Sequence, residues 1–270
     1  MKPVLSLLLF KKNTFEMKLT ILGSGTGIPL IYRASPSLAV TIDNSPVLFD
    51  FGPGILRQLT RAGLNHERIA QIFLTHFHPD HTADLIHFLF ATKNPSTLKR
   101  RAPFVITGPT GLKEFIDRLQ QAFSNWLILP PEIMRIEELD VSEKVDRNYK
   151  NFKITTCPTK HTPHSIAYRI EDASGKIAVY SGDTGFCKEI IDLARGAHVL
   201  ILECSFPNGQ ETDGHLTPSE AGKIADLAGV NRLVLTHFYP ECLATDIAAQ
   251  CRKSYGGELS LGSDLMSIHL

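Results

Sequence analysis

With 270 residues, 28 Lys plus Arg balanced by 28 Asp plus Glu, and a hydrophobic share of 43%, the chain has room for one large α/β core or two small ones. A formal net charge of zero excludes bulk attraction to a long polyanion. The five cysteines (Cys157, Cys187, Cys204, Cys242, Cys251) are odd in number and lack C-x-x-C spacing, which excludes a disulfide framework and predicts reduced, mostly buried thiols in a cytoplasmic protein.

Residues 4–10 form an apolar run after Lys2 that imitates a signal peptide, but it is short, Lys11 and Lys12 follow it, and no small-residue cleavage site is present. Met17 stands directly before the first clear strand, so residues 1–16 read as a dispensable extension and 17–270 as a single domain. No other run is long enough to span a bilayer. A strand over 18–22 ends in Gly23-Ser24-Gly25-Thr26-Gly27. A dinucleotide fingerprint needs a helix next, and Ile28-Pro29-Leu30 does not supply one, so a turn at the mouth of a site is the better reading. Strands over 37–42 and 47–49 make a hairpin. Asp50-Phe51-Gly52-Pro53-Gly54 leads into a helix over 55–62 that Gly63 ends.

Next comes Leu74-Thr75-His76-Phe77-His78-Pro79-Asp80-His81, which holds three imidazoles and a carboxylate within six residues. In an extended segment side chains alternate, so His76 and His78 share a face with Phe77 packed behind them. Pro79 turns the chain and keeps His78 extended. Asp80 and His81 then enter the first helical turn of a segment running to residue 92. Imidazole and carboxylate suit zinc and, less selectively, manganese or iron. Four ligands so close are too many for one catalytic zinc with an open position, so two adjacent cations are expected. A histidine-rich surface loop is the plainer alternative, and the ordered spacing argues against it.

Residues 94–103 read as a polar connection, with Lys99, Arg100 and Arg101 in a solvated turn. A strand over 104–107 and a helix over 111–123 follow. Strands are expected over 133–139, 152–156, 165–170 and 176–180. Helices and strands then alternate: 186–194, 199–202, 218–227, 232–235 and 244–251. This pattern indicates sheets covered by helices on their outer faces. Leu-Thr-His-Phe at 74–77 returns at 235–238, each copy after an apolar strand and before a proline, which suggests two related halves facing one cleft.

Three later positions put ligand-type residues just past strand ends, where α/β sheets carry their sites: His161, Asp183 in Ser181-Gly182-Asp183-Thr184, and His237. The count then closes. His76, His78 and His161 would hold one cation, Asp80, His81 and His237 the other, and Asp183 would bridge them.

The H-x-H-x-D-H run, His161, the Ser-Gly-Asp-Thr segment and His237 together resemble the metallo-β-lactamase superfamily. Gly-Ser-Gly-Thr-Gly near the start and Gly214-His215-Leu216-Thr217 are similar to its ribonuclease Z branch. The resemblance implies a four-layer αββα sandwich of two mixed sheets, a single metallo-hydrolase domain, a dinuclear site at one edge, zinc as the first choice of metal, and a homodimer. It also implies that His215 sits over the substrate, where this ring is expected to protonate or hydrogen-bond the leaving oxygen, and Glu203, at the end of the strand over 199–202, is placed to orient it. A helix-entry histidine beside the Thr217-Pro218-Ser219-Glu220 cap is the alternative for His215. Ribonuclease Z enzymes with an exosite arm carry it between the positions matching His161 and Asp183. Here only 22 residues separate the two, and His237 is followed by Phe238-Tyr239-Pro240 in place of the branch's Ser and Arg-Tyr.

Two cations a few ångströms apart lower the pKa of a shared water, and the bridging hydroxide is then the nucleophile. Asp80 has a second oxygen with which to accept its proton. The leading expectation is hydrolysis of a small phosphodiester or nucleotide, with no extended nucleic-acid surface and no membrane partner. Arylsulfatase-like or lactone and thioester hydrolysis, a ribonuclease Z-type tRNA 3′-end endonuclease, and a non-catalytic RNA- or partner-binding subunit are the alternatives. Tyr239 and Arg33 are candidates for either substrate contact or packing.

Overall fold

The structure, a computed structural model, describes residues 17–270, so the extension expected at 1–16 lies outside it. The first six strands are β1 (Met17–Gly23), β2 (Ser37–Ile42), β3 (Ser45–Phe49), β4 (Gln71–Phe73), β5 (Phe104–Pro109) and β6 (Met134–Leu139). The next seven are β7 (Val145–Asn148), β8 (Phe152–Pro158), β9 (Ile166–Asp172), β10 (Ile177–Tyr180), β11 (Val199–Glu203), β12 (Arg232–Thr236) and β13 (Glu258–Leu261), and β14 (Ser267–His269) closes the chain. They form two seven-stranded sheets, ordered β14-β1-β2-β3-β4-β5-β6 and β13-β12-β11-β10-β9-β8-β7. Each sheet starts antiparallel and continues parallel, from β3 to β6 in one and from β10 to β13 in the other.

Strands apolar on both faces explain the layering. In β11, Val199 and Ile201 enter the core between the sheets, while Leu200 and Leu202 face helices Lys188–Ala194 and Pro218–Ala228. In β3, Val47 and Phe49 point inward and Leu48 points toward helices Ile55–Arg61 and Asp84–Thr92. Three apolar cores therefore separate four layers, α, β, β and α. At the centre Phe49 stacks on Phe73 with centroids 5.0 Å apart, and Tyr168 meets both rings. Each such ring contributes roughly 1.5–3 kcal/mol by burial. The Tyr168 hydroxyl donates to the Leu74 carbonyl at 2.7 Å, tying the inner core to the first residue of the histidine run.

Several expectations need correction. Residues 94–103 are not a plain connection. Pro95–Arg100 is a helix whose N-cap Asn94 accepts from the Ser96 amide at 3.1 Å. Arg101 is not solvated. It is 4% exposed, donates to the carbonyls of His66 and Ile69, and lies over the rings of Phe88 and Phe104 at 4.7 and 4.3 Å. The helix expected over 244–251 is shorter, Ile247–Cys251, and a separate helical turn, Pro240–Leu243, precedes it. The edge strands β7, β13 and β14 were not expected, since none offers an apolar run. The cysteines are free thiols, four of them buried. Among the described residues no helix is long and apolar enough to cross a membrane.

Candidate metal centre

The parallel strands converge on one edge. Asp50 follows β3, the histidine run follows β4, Asp183 follows β10, Glu203 ends β11 and His237 follows β12, so all lie at carboxyl ends. His161 follows β8 from the antiparallel part. The echo in the sequence is also an echo in the structure: the Leu-Thr-His-Phe segments, one following β4 and one beginning in the last two residues of β12, both run into a short helix with proline at its first turn, Pro79–Thr82 and Pro240–Leu243. Asp50 and His237 both take left-handed backbone angles, φ 60° each, which turn their side chains sharply off the strand ends. Gly182, at φ +56°, seats the Asp183 loop on the motif, because a Cβ there would lie 2.6 Å from Cβ of Thr75. Gly52 does the same beneath Asp80, whose carbonyl would be 1.9 Å from an added Cβ.

All seven expected ligands meet. Asp183 Oδ1 lies 3.2 Å from His81 Nε2 and 3.3 Å from His237 Nε2. Its Oδ2 lies 3.6 Å from His161 Nε2 and 3.8 Å from His76 Nε2. Asp80 Oδ2 is 3.5 Å from His237 Nε2 and 3.8 Å from His81 Nε2, while His161 Nε2 is 3.1 Å from His78 Nδ1. Donors bound tetrahedrally to one zinc at about 2.1 Å stand roughly 3.4 Å apart, so these separations match the edges of two coordination polyhedra sharing Asp183. Four of the atoms, His76 Nε2, His81 Nε2, His237 Nε2 and Asp183 Oδ1, are buried without a hydrogen-bond partner. Unsatisfied buried polar atoms are costly. A divalent cation satisfies them, and the donor set fits one.

The charges fit as well. Burial holds the His76 pKa well below its ordinary value, with the neighbouring imidazolium of His81 adding to the effect, so His76 is a neutral ring with a free lone pair. For Asp183, burial raises the pKa, but His237 and His81 outweigh it and hold the carboxyl well below the usual range. Burial also opposes charge on His81, and Asp183 with Asp50 more than compensates, so without a cation this ring keeps its proton.

Beside the ligands, His215 Nδ1 is 2.9 Å from Glu203 Oε1, and the ring is 4.8 Å from that of His161. Glu203 is 1% exposed and also accepts the amides of Thr184 at 2.9 Å and Leu216 at 3.1 Å. Burial lowers the His215 pKa, but the bond to Glu203 and its charge prevail and raise it. His215 also comes within 4.8 Å of ligand atoms of Asp183 and His237, yet its Nδ1 is committed to Glu203. Thr217 and Glu220 do form a capping box two residues on. Tyr239 stacks on Phe206, with centroids 4.8 Å apart, and its ring is 5.8 Å from His237. Arg33 is a packing residue, bonded to Ser24 and Gly262 and lying over Phe238.

Reasoning from the sequence missed Asp50, Thr75 and Ser205. Asp50 is fully buried and accepts from His81 Nδ1 at 2.7 Å, Tyr180 at 3.0 Å and Thr75. Its one visible signal is a carboxylate at a strand end ahead of Phe51-Gly52-Pro53-Gly54.

The description "Beta-lactamase superfamily domain" matches residues 46–238. The chain belongs to the metallo-β-lactamase superfamily. Within it, the chain is 30% identical to a Mycobacterium marinum protein named Ribonuclease Z, over 94% of this chain and 99% of that one. The solved structure of human tRNase Z, short form, is 25% identical with a TM-score of 0.76, covering 93% of this chain and 98% of that one. The metallo-β-lactamase fold protein YhfI from Bacillus subtilis shares the fold, with a TM-score of 0.81, 24% identity and coverage of 94% and 99%. The chain is thus a metal-dependent hydrolase of the ribonuclease Z-like branch. The segment between His161 and Asp183 holds only the β9–β10 hairpin, both strands of which are built into the sheet.

Proposed function

We propose that this metallo-β-lactamase superfamily member is a dinuclear phosphodiesterase acting on a small phosphodiester or nucleotide. His76, His78 and His161 would hold one cation, Asp80, His81 and His237 the second, and Asp183 both, with zinc favoured by the mixed nitrogen and oxygen donors. When bound, the pair supplies Lewis acidity and makes water ionisable near neutral pH. Asp80 Oδ2 faces His237 and His81, which leaves its other oxygen to accept the proton of the attacking water. His215, held by Glu203 through Nδ1, keeps Nε2 to protonate the departing alkoxide. Tyr239, with its pKa pushed up to about 12 by burial and by Asp80, stays a neutral phenol, and with Phe206 it offers an aromatic wall for the organic part of the substrate.

The observation that carries the choice of a small substrate is the charge of the loops around the site. Among the described residues they hold two cationic side chains, Arg33 and Lys160, and both have partners: Arg33 as described, and Lys160 with Asp213 at 2.9 Å. One reacting phosphodiester can be neutralised at the metals, but among the described residues these loops offer the backbone of a long polyanion little positive charge. The names of the relatives favour a second reading, a tRNA 3′-end endonuclease. Zinc analysis with turnover assays on a bis-aryl phosphate, a cyclic nucleotide, an aryl sulfate, a lactone and a precursor tRNA decides. The small phosphodiesters are expected to turn over fastest. Efficient cleavage of precursor tRNA alone establishes the second reading, and turnover of only the sulfate or lactone rejects both.

A further inference from the structure

Five of the imidazoles at the site have a nitrogen fixed by a partner that is not a ligand, and two of these partners are hydroxyls. A serine or threonine hydroxyl carries one hydrogen. Ser205 Oγ spends its hydrogen on Glu203 Oε2 at 2.7 Å and is 2.9 Å from His237 Nδ1. Oγ is therefore the acceptor there, and His237 Nδ1 must carry the proton. Thr75 Oγ1 donates to the carboxylate of Asp50, at 2.9 and 3.0 Å, and is 3.0 Å from His76 Nδ1, so the same accounting puts a proton on that nitrogen. In both rings Nε2 is left as the bare lone pair, and in both it is one of the buried atoms without a partner.

The two arrangements are copies in kind. Asp50 binds His81 Nδ1 directly and reaches His76 through Thr75, while Glu203 binds His215 Nδ1 directly and reaches His237 through Ser205. Each carboxylate sits at the end of a parallel strand, one in each sheet, and each hydroxyl is at most 1% exposed, so no water competes for the bond. The histidines served through a hydroxyl, His76 and His237, are the paired histidines of the Leu-Thr-His-Phe echo.

We propose that Thr75 and Ser205 are positioning residues, one for each cation, that lock His76 and His237 in the Nδ1–H tautomer so that Nε2 faces the metal. The proposal rests on the dinuclear assignment above. Outer partners of this kind tune metal affinity by roughly 10–100-fold, and the relay assigns that effect to one cation at a time.

The test is stepwise zinc binding by chelator competition, with ¹⁵N NMR of the imidazoles in the metal-free protein. The wild type takes up two zinc ions. Ser205→Ala weakens one of them about tenfold or more and spares the other, and Thr75→Val does the same to the other ion. Ser205→Thr and Thr75→Ser restore wild-type affinity, which a general loss of packing would not allow. In a His237→Ala background Ser205→Ala adds nothing, whereas in a His76→Ala background its effect persists. The NMR spectra show Nδ1–H in both rings of the wild type and a mixture of tautomers in the ring that has lost its hydroxyl. Two zinc ions bound with unchanged affinity in both variants, or equal loss at both sites that the conservative replacements do not repair, overturns the relay. Uptake of fewer than two ions by the wild type overturns the dinuclear reading and the relay with it.

Discussion

His215 differs from the imidazoles around it in what its partner does to its proton. His76 is kept neutral and His161 is lowered, burial being the first cause in each, whereas Glu203 lifts His215 above its ordinary value. A ring that must give a proton to a leaving oxygen needs that lift, and a ring that must give a lone pair to a cation needs its absence. His215→Ala is therefore expected to retain both cations by elemental analysis while kcat falls about 10²–10⁴-fold. Loss of metal would make His215 a ligand. Because the folded pKa is raised, activity that needs the protonated ring is present at low pH and declines as pH rises through that value. Glu203→Gln removes the charge that sustains it, so the alkaline limb of kcat/KM should move to lower pH, and an unmoved limb would dissociate Glu203 from this proton. Asp183→Ala removes the carboxylate whose two oxygens face the two halves of the cluster, and at least one cation should be lost. Full occupancy would contradict a shared ligand.

Among the elements, the segment that departs most from its sequence pattern is the one ending at Arg101. A run of three cations reads as solvent-facing, and Lys99 and Arg100 are exposed, Arg100 pairing with Glu67 at 2.6 Å. Arg101 turns inward, and burial brings its pKa down to about 10. Replacing it with methionine fills the space but strands the carbonyl of Ile69 and leaves that of His66 with only the long bond from the Ile69 amide, at about 2–4 kcal/mol in all. Tm should then fall by roughly 5–15 °C with zinc content unchanged, while Lys99→Ala should be near neutral. Equal effects of the two would mean the inward contacts carry no stability. The same contrast says what a sequence discloses. The candidate ligand cluster was legible because metal chemistry restricts residue type and spacing at strand ends, and the layers because strands apolar on both faces need cover on both. Thr75 and Ser205 were not legible, since a hydroxyl has many uses and only the third dimension shows which carboxylate takes its hydrogen. The edge strands β7, β13 and β14 escaped because pairing, and not apolar pattern, makes them strands.

For the molecule as a whole, the centre joins the two sheets: Asp50 and the histidine run belong to the first, Asp183, Glu203 and His237 to the second, and Asp183 contacts ligands from both. Cations bound there would hold the halves together, and a ligand at 100 times its dissociation constant stabilises the folded state by about 2.7 kcal/mol. Chelation should therefore lower Tm measurably. The loss should also depend on pH in a particular direction. In the metal-free protein the His81 pKa is raised, so its pairing with Asp183 and Asp50 contributes stability that is complete below the ordinary histidine value and disappears as pH climbs through the raised one. The depressed pKa of Asp183 acts at the other end, contributing above the ordinary carboxylate value and losing its effect as pH falls through the lowered one. With cations bound as proposed, metal would replace the His81 proton, and the alkaline decline should vanish. Thermal unfolding of metal-free and zinc-loaded protein between neutral and alkaline pH therefore yields two curves that separate as pH rises. Parallel curves would mean that His81 carries no proton when the metal is gone, and that the two sheets are held at this edge by something other than the charges described.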